Sequence, residues 1–258
     1  AVGRNNGFLK EFVINETVLD EINKWGDICD DLHTDLHECL GHGSGRLLQG
    51  VSPDALKAYG NVIEEARADL FGLYYIADKK LVDLGLTPNM EAYKSQYYTY
   101  MMNGLMTQLV RVKQGNCIEE AHMRNRALIA YWTLEHSGGA VELVKENGKT
   151  FVRINDYGTL RDCFAKLLAE VQRIKSTGDF EAARELVEKY AVNINQGLHE
   201  EMLERYASLN IAPYKGFLNP KMSLVKDSEG KVVDVDLDYT ETYTEQMLRY
   251  SKEYSTLI

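Results

Sequence analysis

The sequence is poor in residues that break helices and in residues that cross-link small domains. Only four prolines occur in 258 residues, which leaves long stretches free to be helical. The four cysteines form no CxxC pair, so we expect free thiols in a chain long enough to bury a core without disulfides. The longest apolar run covers residues 70–77, far short of the roughly 20 residues that span a bilayer. These absences exclude a disulfide-dependent scaffold and a membrane partner.

Basic residues are also in deficit, with 29 Lys and Arg against 39 Asp and Glu, a net charge of −10. Such an acidic surface repels phosphate backbones, so we expect no nucleic-acid partner. The N-terminus carries no basic-then-apolar leader. Together with the free thiols this favours a cytoplasmic protein, unless a signal peptide has been removed.

Apolar residues recur every three to four positions along most of the chain, which is the period of a helix packed on one face. The pattern predicts helices at 17–40, 53–84, 89–114, 118–136, 160–175, 180–192, 197–209 and 240–257. Two segments alternate instead. Asn147-Gly148 predicts a β-hairpin at about 140–154, and a turn at 227–230 predicts another at about 223–235. The expected fold is mainly α, one multi-helix lobe over residues 1–258 with one or two small β-hairpins.

One segment carries the residue types of a catalytic metal site. It reads His37-Glu38-Cys39-Leu40-Gly41-His42, and Glu64-Glu65-Ala66-Arg67-Ala68-Asp69 follows it. Two imidazoles and a later helical carboxylate can hold zinc and leave its fourth position open for water. The glutamate beside the first histidine can then accept a proton from that water as it attacks a carbonyl.

The spacing of the two histidines departs from the common HExxH pattern. Residues four apart lie about 40° apart around a regular helix, whereas residues five apart lie about 140° apart. A regular helix would therefore point His37 and His42 away from a shared metal. One extra residue accommodated as a π-bulge, eased by Gly41, brings them to one face. The sequence thus predicts a local wide turn at residues 39–42.

The second segment is expected to lie opposite the first. Ser52-Pro53 is typical of a helix start, and a helix from Pro53 reaches Glu65 after about 12 residues, roughly 18 Å. Asp69 lies one turn beyond Glu65. Glu64 and Asp69 are then candidates to accept hydrogen bonds from the outer ring nitrogens of the two histidines.

At these residues the sequence resembles a known family. The two segments are similar to the paired HExxGH and EExxA(E/D) motifs of dipeptidyl peptidase III, and Gly43-Ser44-Gly45 matches as well. A further stretch, residues 121–126, resembles another part of that family. The family consists of zinc exopeptidases that release dipeptides from the N-termini of short peptides.

The resemblance implies a role for each candidate residue. His37, His42 and Glu65 would bind one Zn²⁺ per chain, with Glu38 as the general base. Glu64 and Asp69 would support the metal ligands, and Asp69 stands where many members have glutamate. His122 would stabilise the transition state and Arg126 would contact substrate.

The resemblance also implies partners. Members of the family are longer than this chain, and their additional N-terminal region forms a second, largely β lobe that closes over the cleft. The expected partners are therefore short peptide substrates and the missing N-terminal lobe of the same protein, with this chain as the zinc-bearing lobe.

Three other interpretations remain open at this stage. His33 and His37 are four apart and form a rival metal pair, although Thr34 rather than glutamate follows His33; otherwise His33 is expected to be a partly exposed helix residue. The stretch 178–183 resembles the opening of a helix pair in helical-repeat scaffolds, a non-catalytic peptide-binding class. A di-metal carboxylate protein would need two Glu-x-x-His pairs, and the chain offers only Glu119 with His122.

Overall fold

The computed structural model describes residues 7–211 and 217–255. The chain divides into two compact units, residues 1–211 and 212–258. The helices of the first unit are α1 (Phe8–Phe12), α2 (Glu16–Leu36), α3 (Gly60–Ile76), α4 (Lys79–Asp83), α5 (Tyr93–Leu105), α6 (Ala121–His136), α7 (Tyr157–Thr177), α8 (Phe180–Tyr190) and α9 (Gln196–Ser208). Its hairpin pairs β1 (Val141–Glu146) with β2 (Lys149–Ile154) in antiparallel register.

Shorter turns join some of these helices. A π-helix at His37–His42 continues α2, and 3₁₀ turns occur at Lys57–Tyr59 and Thr107–Arg111. The second unit contains the antiparallel hairpin β3 (Lys221–Lys226) and β4 (Val232–Asp238), followed by α10 (Tyr243–Tyr254). The mainly α fold with two small hairpins, as predicted from the sequence, is confirmed.

Helix α3 is the centre of the first unit. It packs against α2, α5, α6, α7 and the π-helix, and Ile63, Ala66, Leu70 and Leu73 along it are completely buried. This explains why its sequence lacks the one-sided pattern of a surface helix. Because α3 is packed on several sides, the positions of its side chains are fixed by the surrounding helices.

The second unit has a small polar anchor of its own. Gln246 on α10 is buried, and its amide donates to the carbonyl of Phe217 at 2.8 Å and accepts from the N–H of Asn219 at 2.5 Å. A capping box at Thr242 and Glu245 begins α10. These bonds tie the helix to the segment before β3.

The prediction that a helix begins at Pro53 is wrong. Residues 53–56 form turns, and Ser52 Oγ accepts only the N–H of Asp54, at 3.3 Å. Lys57 follows with φ 47°, a left-handed conformation that an α-helix does not tolerate. The α-helix therefore begins at Gly60. The same predicted helix is also interrupted after Ile76, where Asp78 caps the short α4.

None of the helices within residues 7–211 and 217–255 combines the length and apolar character needed to cross a bilayer.

Candidate metal centre

His37 and His42 are brought together by the wide turn that their spacing predicts. The segment forms a π-helix, in which the N–H of Gly43 donates to the carbonyl of Glu38 five residues earlier, at 3.1 Å. The added residue rotates the second histidine back toward the first. As a result the two Nε2 atoms lie 3.0 Å apart, with the rings nearly perpendicular.

Glu65 on α3 completes this group. Its Oε2 atom lies 3.4 Å from His37 Nε2 and 3.8 Å from His42 Nε2. The same Oε2 atom is buried and accepts no hydrogen bond from residues 7–211 or 217–255. A buried carboxylate oxygen without a partner costs free energy unless a cation compensates it. One atom from each of His37, His42 and Glu65 lies within 4.8 Å of the others, so these residues fit a single metal ion.

The outer nitrogens of both rings are held by carboxylates of α3. His37 Nδ1 donates to Asp69 Oδ1 at 2.7 Å, and His42 Nδ1 donates to Glu64 Oε1 at 3.0 Å. These are the two hydrogen bonds expected from the sequence. Because each Nδ1 carries the hydrogen, each Nε2 presents its lone pair toward Glu65.

The Asp69 carboxylate lies in a network that the sequence did not reveal. Besides His37, it accepts hydrogen bonds from the hydroxyl of Tyr100 at 2.7 Å, from Asn125 Nδ2 at 2.9 Å and from His33 Nε2 at 3.2 Å. Burial raises the pKa of Asp69, but the bonds from His33 and His37 outweigh burial and hold it well below its usual range. Asp69 is therefore a buried anion with four donors.

His33 is buried, so the expectation of a partly exposed residue is wrong. Its ring fits against Gly72, where a Cβ would come within 2.7 Å of His33 Nδ1. His33, His37 and Asp69 form a second group whose ligand atoms lie within 4.8 Å, which corresponds to the rival pair weighed above. In this group Asp69 already accepts from both rings, and the carboxylate of a general base does not follow His33.

Glu64 is fixed by two cations. Arg67, completely buried, donates to Glu64 Oε1 at 2.8 Å and to Oε2 at 3.1 Å, and Lys175 from α7 also donates to Oε2. Burial raises the pKa of Glu64, but the hydrogen bonds from Arg67, Lys175 and His42 lower it to about 2. Arg67 also donates to the carbonyl of Gly41 at 2.6 Å, so it joins α3 to the π-helix.

The remaining predicted residues border the same centre. His122 lies in the first turn of α6, where Glu120 caps the helix by accepting from the backbone N–H of His122. Its Nδ1 lies 3.4 Å from Glu65 Oε2, and its side chain is 56% exposed. Glu38 is exposed, and no hydrogen bond from the described residues reaches its carboxylate. A cavity of about 380 Å³ is lined by Glu38, His122 and Arg126 among others.

The structure thus brings six of the eight predicted site residues to one centre and places Glu38 and Arg126 on the wall of the adjoining cavity. It adds residues that sequence reasoning missed or misplaced: Arg67, Tyr100, Asn125, Lys175 and His33. Arg67 lies inside a motif that had been noted, so its position between Glu64 and Asp69 was an available signal. Asn125 lies inside the stretch 121–126 that resembles the family, which was likewise an available signal, whereas Tyr100 comes from another helix and no local pattern marks it.

The chain is similar over most of its length to a known protein family. The sequence model of peptidase family M49 matches residues 54–248, a range that contains the α3 carboxylates and His122 and begins after the π-helix. The chain belongs to peptidase family M49.

Two solved structures of related architecture are dipeptidyl-peptidase III enzymes. The one from Caldithrix abyssi is 24% identical, with a TM-score of 0.59 over 79% of this chain and 36% of that chain. The one from Corallococcus sp. strain EGB is 22% identical, with a TM-score of 0.59 over 81% of this chain and 36% of that chain. At these identities the likeness shows the fold. The chain spans about a third of the length of these neighbours.

Proposed function

We propose that this chain is the metal-bearing part of a zinc exopeptidase that releases dipeptides from the N-termini of short peptides. The observation that carries the proposal is the buried, unpaired Glu65 Oε2 facing the Nε2 atoms of His37 and His42. Two imidazoles and one carboxylate are the ligand set of catalytic zinc in peptidases. Membership of peptidase family M49 supports the same reaction class.

Each of the two histidine ligands is preorganised by a carboxylate outside the metal site. Asp69 and Glu64 fix the orientation of His37 and His42, and such partners raise the basicity of ligating imidazoles. When bound, zinc would polarise the scissile carbonyl and lower the pKa of a water molecule. His37, His42 and Glu65 would hold it.

The chain's own residues would then move the protons. The Glu38 carboxylate is exposed to the cavity and free of hydrogen bonds from the described residues, so it can accept a proton from the attacking water and deliver it to the leaving amine. His122 would donate a hydrogen bond to the oxygen that becomes negatively charged, a contact that matters most in the transition state. Arg126, on the cavity wall, would contact the substrate.

Two further features belong to the proposal. The structural neighbours are much longer than this chain, which supports a second lobe of the same protein in binding the peptide. All four cysteines are free thiols, which supports a reducing compartment such as the cytoplasm.

The test combines metal analysis with two substitutions. We expect about one zinc per chain by mass spectrometry after dialysis. Glu38→Gln should retain zinc and abolish peptide hydrolysis in the full-length protein, whereas Glu65→Gln should weaken zinc binding itself. Glu16→Gln, an exposed substitution on α2, is the matched control and should change neither. Normal hydrolysis by the Glu38→Gln protein would overturn the assignment of the base.

A further inference from the structure

A groove leads away from the candidate metal centre between α2 and α5. The cavity beside His37 and Glu38 has a volume of about 380 Å³, and a second cavity of about 250 Å³ continues toward Ile22. Asp30, Gln96 and Thr99 line both cavities. The two cavities are therefore parts of one feature, the α2–α5 groove, with these three residues at its middle.

Gln96 has an unusual environment in this groove. It is 4% exposed, and within residues 7–211 and 217–255 no hydrogen bond engages its side-chain amide. Both atoms of the Gln96 amide keep some exposed surface, whereas Gln108 Oε1 is enclosed without a partner. The Gln96 amide therefore opens onto the groove that it lines. Because no group of the described residues takes up its hydrogen bonds, the Gln96 amide is available to donate to and accept from a ligand in the groove.

The neighbouring side chains offer complementary hydrogen-bonding groups. Thr99 Oγ1 donates to the carbonyl of Ser95 at 2.9 Å, which leaves its lone pairs free to accept. The exposed carboxylate of Asp30 is likewise free of hydrogen bonds from the described residues. Gln96 can both donate and accept. Together these groups match a ligand that presents N–H and C=O groups side by side.

The length of the groove indicates the size of that ligand. From Ile22 to Glu38 the α2 segment and its π-helical extension rise roughly 24 Å at about 1.5 Å per residue. An extended peptide covers that distance with about seven residues, and each residue brings one N–H and one C=O. The groove begins at the cavity that holds Glu38, so a chain in it would be continuous with a peptide at the reaction site.

We propose that the α2–α5 groove is a binding site for the main chain of an extended peptide, held by Gln96, Thr99 and Asp30 at a distance from the scissile bond. This inference rests on the proposed function, since it takes the ligand to be the peptide substrate. It adds that recognition in this groove depends on peptide length and not on side-chain identity, because amide and hydroxyl groups read the backbone.

The test measures binding of an octapeptide and a tripeptide of alternating alanine and serine, by calorimetry or by NMR titration, to the whole chain. We expect the octapeptide to bind more tightly than the tripeptide. Gln96→Met should weaken octapeptide binding by roughly three- to tenfold, the effect of losing one or two hydrogen bonds, and leave the tripeptide unchanged. Equal octapeptide binding by wild type and Gln96→Met would overturn the proposal, as would equal binding of the two peptides.

A matched substitution separates recognition from folding. Gln108 is as buried as Gln96, but its amide donates to the carbonyls of Gly104 and Met123, both at 3.1 Å. Gln108→Met should therefore lower the melting temperature and leave octapeptide binding unchanged. Gln96→Met should weaken octapeptide binding without lowering the melting temperature. If Gln96→Met does not fold, Thr99→Val, which removes an acceptor from the same wall, carries the test with the same expected result.

Running each titration with zinc and with a chelator distinguishes this inference from the proposed function. If the protein neither holds zinc nor cleaves peptides but binds the octapeptide in a way that depends on Gln96, the result would support peptide binding in the α2–α5 groove and overturn the proposed peptidase function. Glu38-dependent hydrolysis without an effect of Gln96 or Thr99 would overturn the groove alone.

Discussion

Gly41 and Ala68 are in such close contact that a Cβ built on Gly41 would lie 2.6 Å from Ala68 Cα and 2.7 Å from Ala68 Cβ. This contact seats the π-helix directly on α3. It explains why the residue immediately before His42 has no side chain, since a Cβ there would push the histidines away from Glu65.

Gly41→Ala should push the π-helix away from α3. We expect a loss of about 1–3 kcal/mol in the free energy of unfolding, which is typical of overpacking in a core, together with weaker zinc binding. Gly60→Ala is the control, because a Cβ there makes only an ordinary 3.7 Å contact with Leu56. Urea denaturation and chelator competition measure the two effects. An unchanged Gly41→Ala protein would contradict the role of this contact.

Arg67→Lys should be severely destabilising although it conserves charge. Arg67 is completely buried and donates from Nε to Glu64, from Nη1 to Ser44 Oγ and from Nη2 to the carbonyl of Gly41, which one ammonium cannot replace. We expect a loss of about 3 kcal/mol, as for other broken buried ion pairs. The control is Arg173→Lys, at an exposed pair with Glu170, where less than about 0.5 kcal/mol should be lost. Denaturant titration of both variants measures the two free energies of unfolding, and equal losses would contradict the prediction.

Zinc should raise the melting temperature of the chain, because an ion that binds only the folded state stabilises it. At a free zinc concentration 100 times the Kd, the gain is about 2.7 kcal/mol. The gain should disappear with Glu65→Ala and shrink with Asp69→Asn, which removes the charge that orients His37. Differential scanning calorimetry with and without chelator measures it. An equal zinc effect in Glu65→Ala would place the ion elsewhere.

Stability should fall at acid pH through a buried cluster around Arg205. Arg205 donates to Glu11 at 2.8 Å and to Glu201 at 3.1 Å. Burial raises the pKa of Glu11, but bonds from Lys149 and Arg205 lower it overall. Burial also raises the pKa of Glu201, but bonds from Thr150 and Arg205 lower it overall.

Because both pKa values are depressed in the folded state, the stabilisation is present above the unfolded value, about 4.3 for glutamate, and is lost as the pH falls through the folded values. As the pH is lowered from 7 to 3, the melting temperature of wild type should therefore fall more steeply than that of the double variant Glu11→Gln/Glu201→Gln. Glu142→Gln, at a side chain that is 45% exposed, is the control. Parallel curves for wild type and the double variant would refute this linkage.

The sequence predicted the parts of the fold and site that local patterns determine. The five-residue spacing of His37 and His42 required a wide turn, and the Asn147-Gly148 pair identified a hairpin, because both follow from backbone geometry. The start of α3 was misplaced since Ser52-Pro53 caps only a turn. Lys57 then adopts a left-handed conformation that no local propensity predicts.

Residues that act through tertiary contacts were not predictable in the same way. Tyr100 and Asn125 reach Asp69 from α5 and α6, and only the packing of those helices on α3 brings them there. His33 was expected near the surface but is buried. Its burial depends on the absence of a side chain at Gly72, a residue of another helix, so its own helix pattern could not reveal it. Unlike Glu64 and Asp69, which lie in a recognisable motif, the contacts that Tyr100 and His33 make to Asp69 have no sequence signature.

Glu64, Glu65 and Asp69 are within two turns of one helix, and each contacts one or both of the histidines on the opposite segment. A small rotation of α3 about its axis would therefore displace all three carboxylates together. Lys175 connects Glu64 to α7, so a movement of α7 reaches His42 through two side chains. The candidate centre therefore connects α7 to the π-helix through side chains carried by α3.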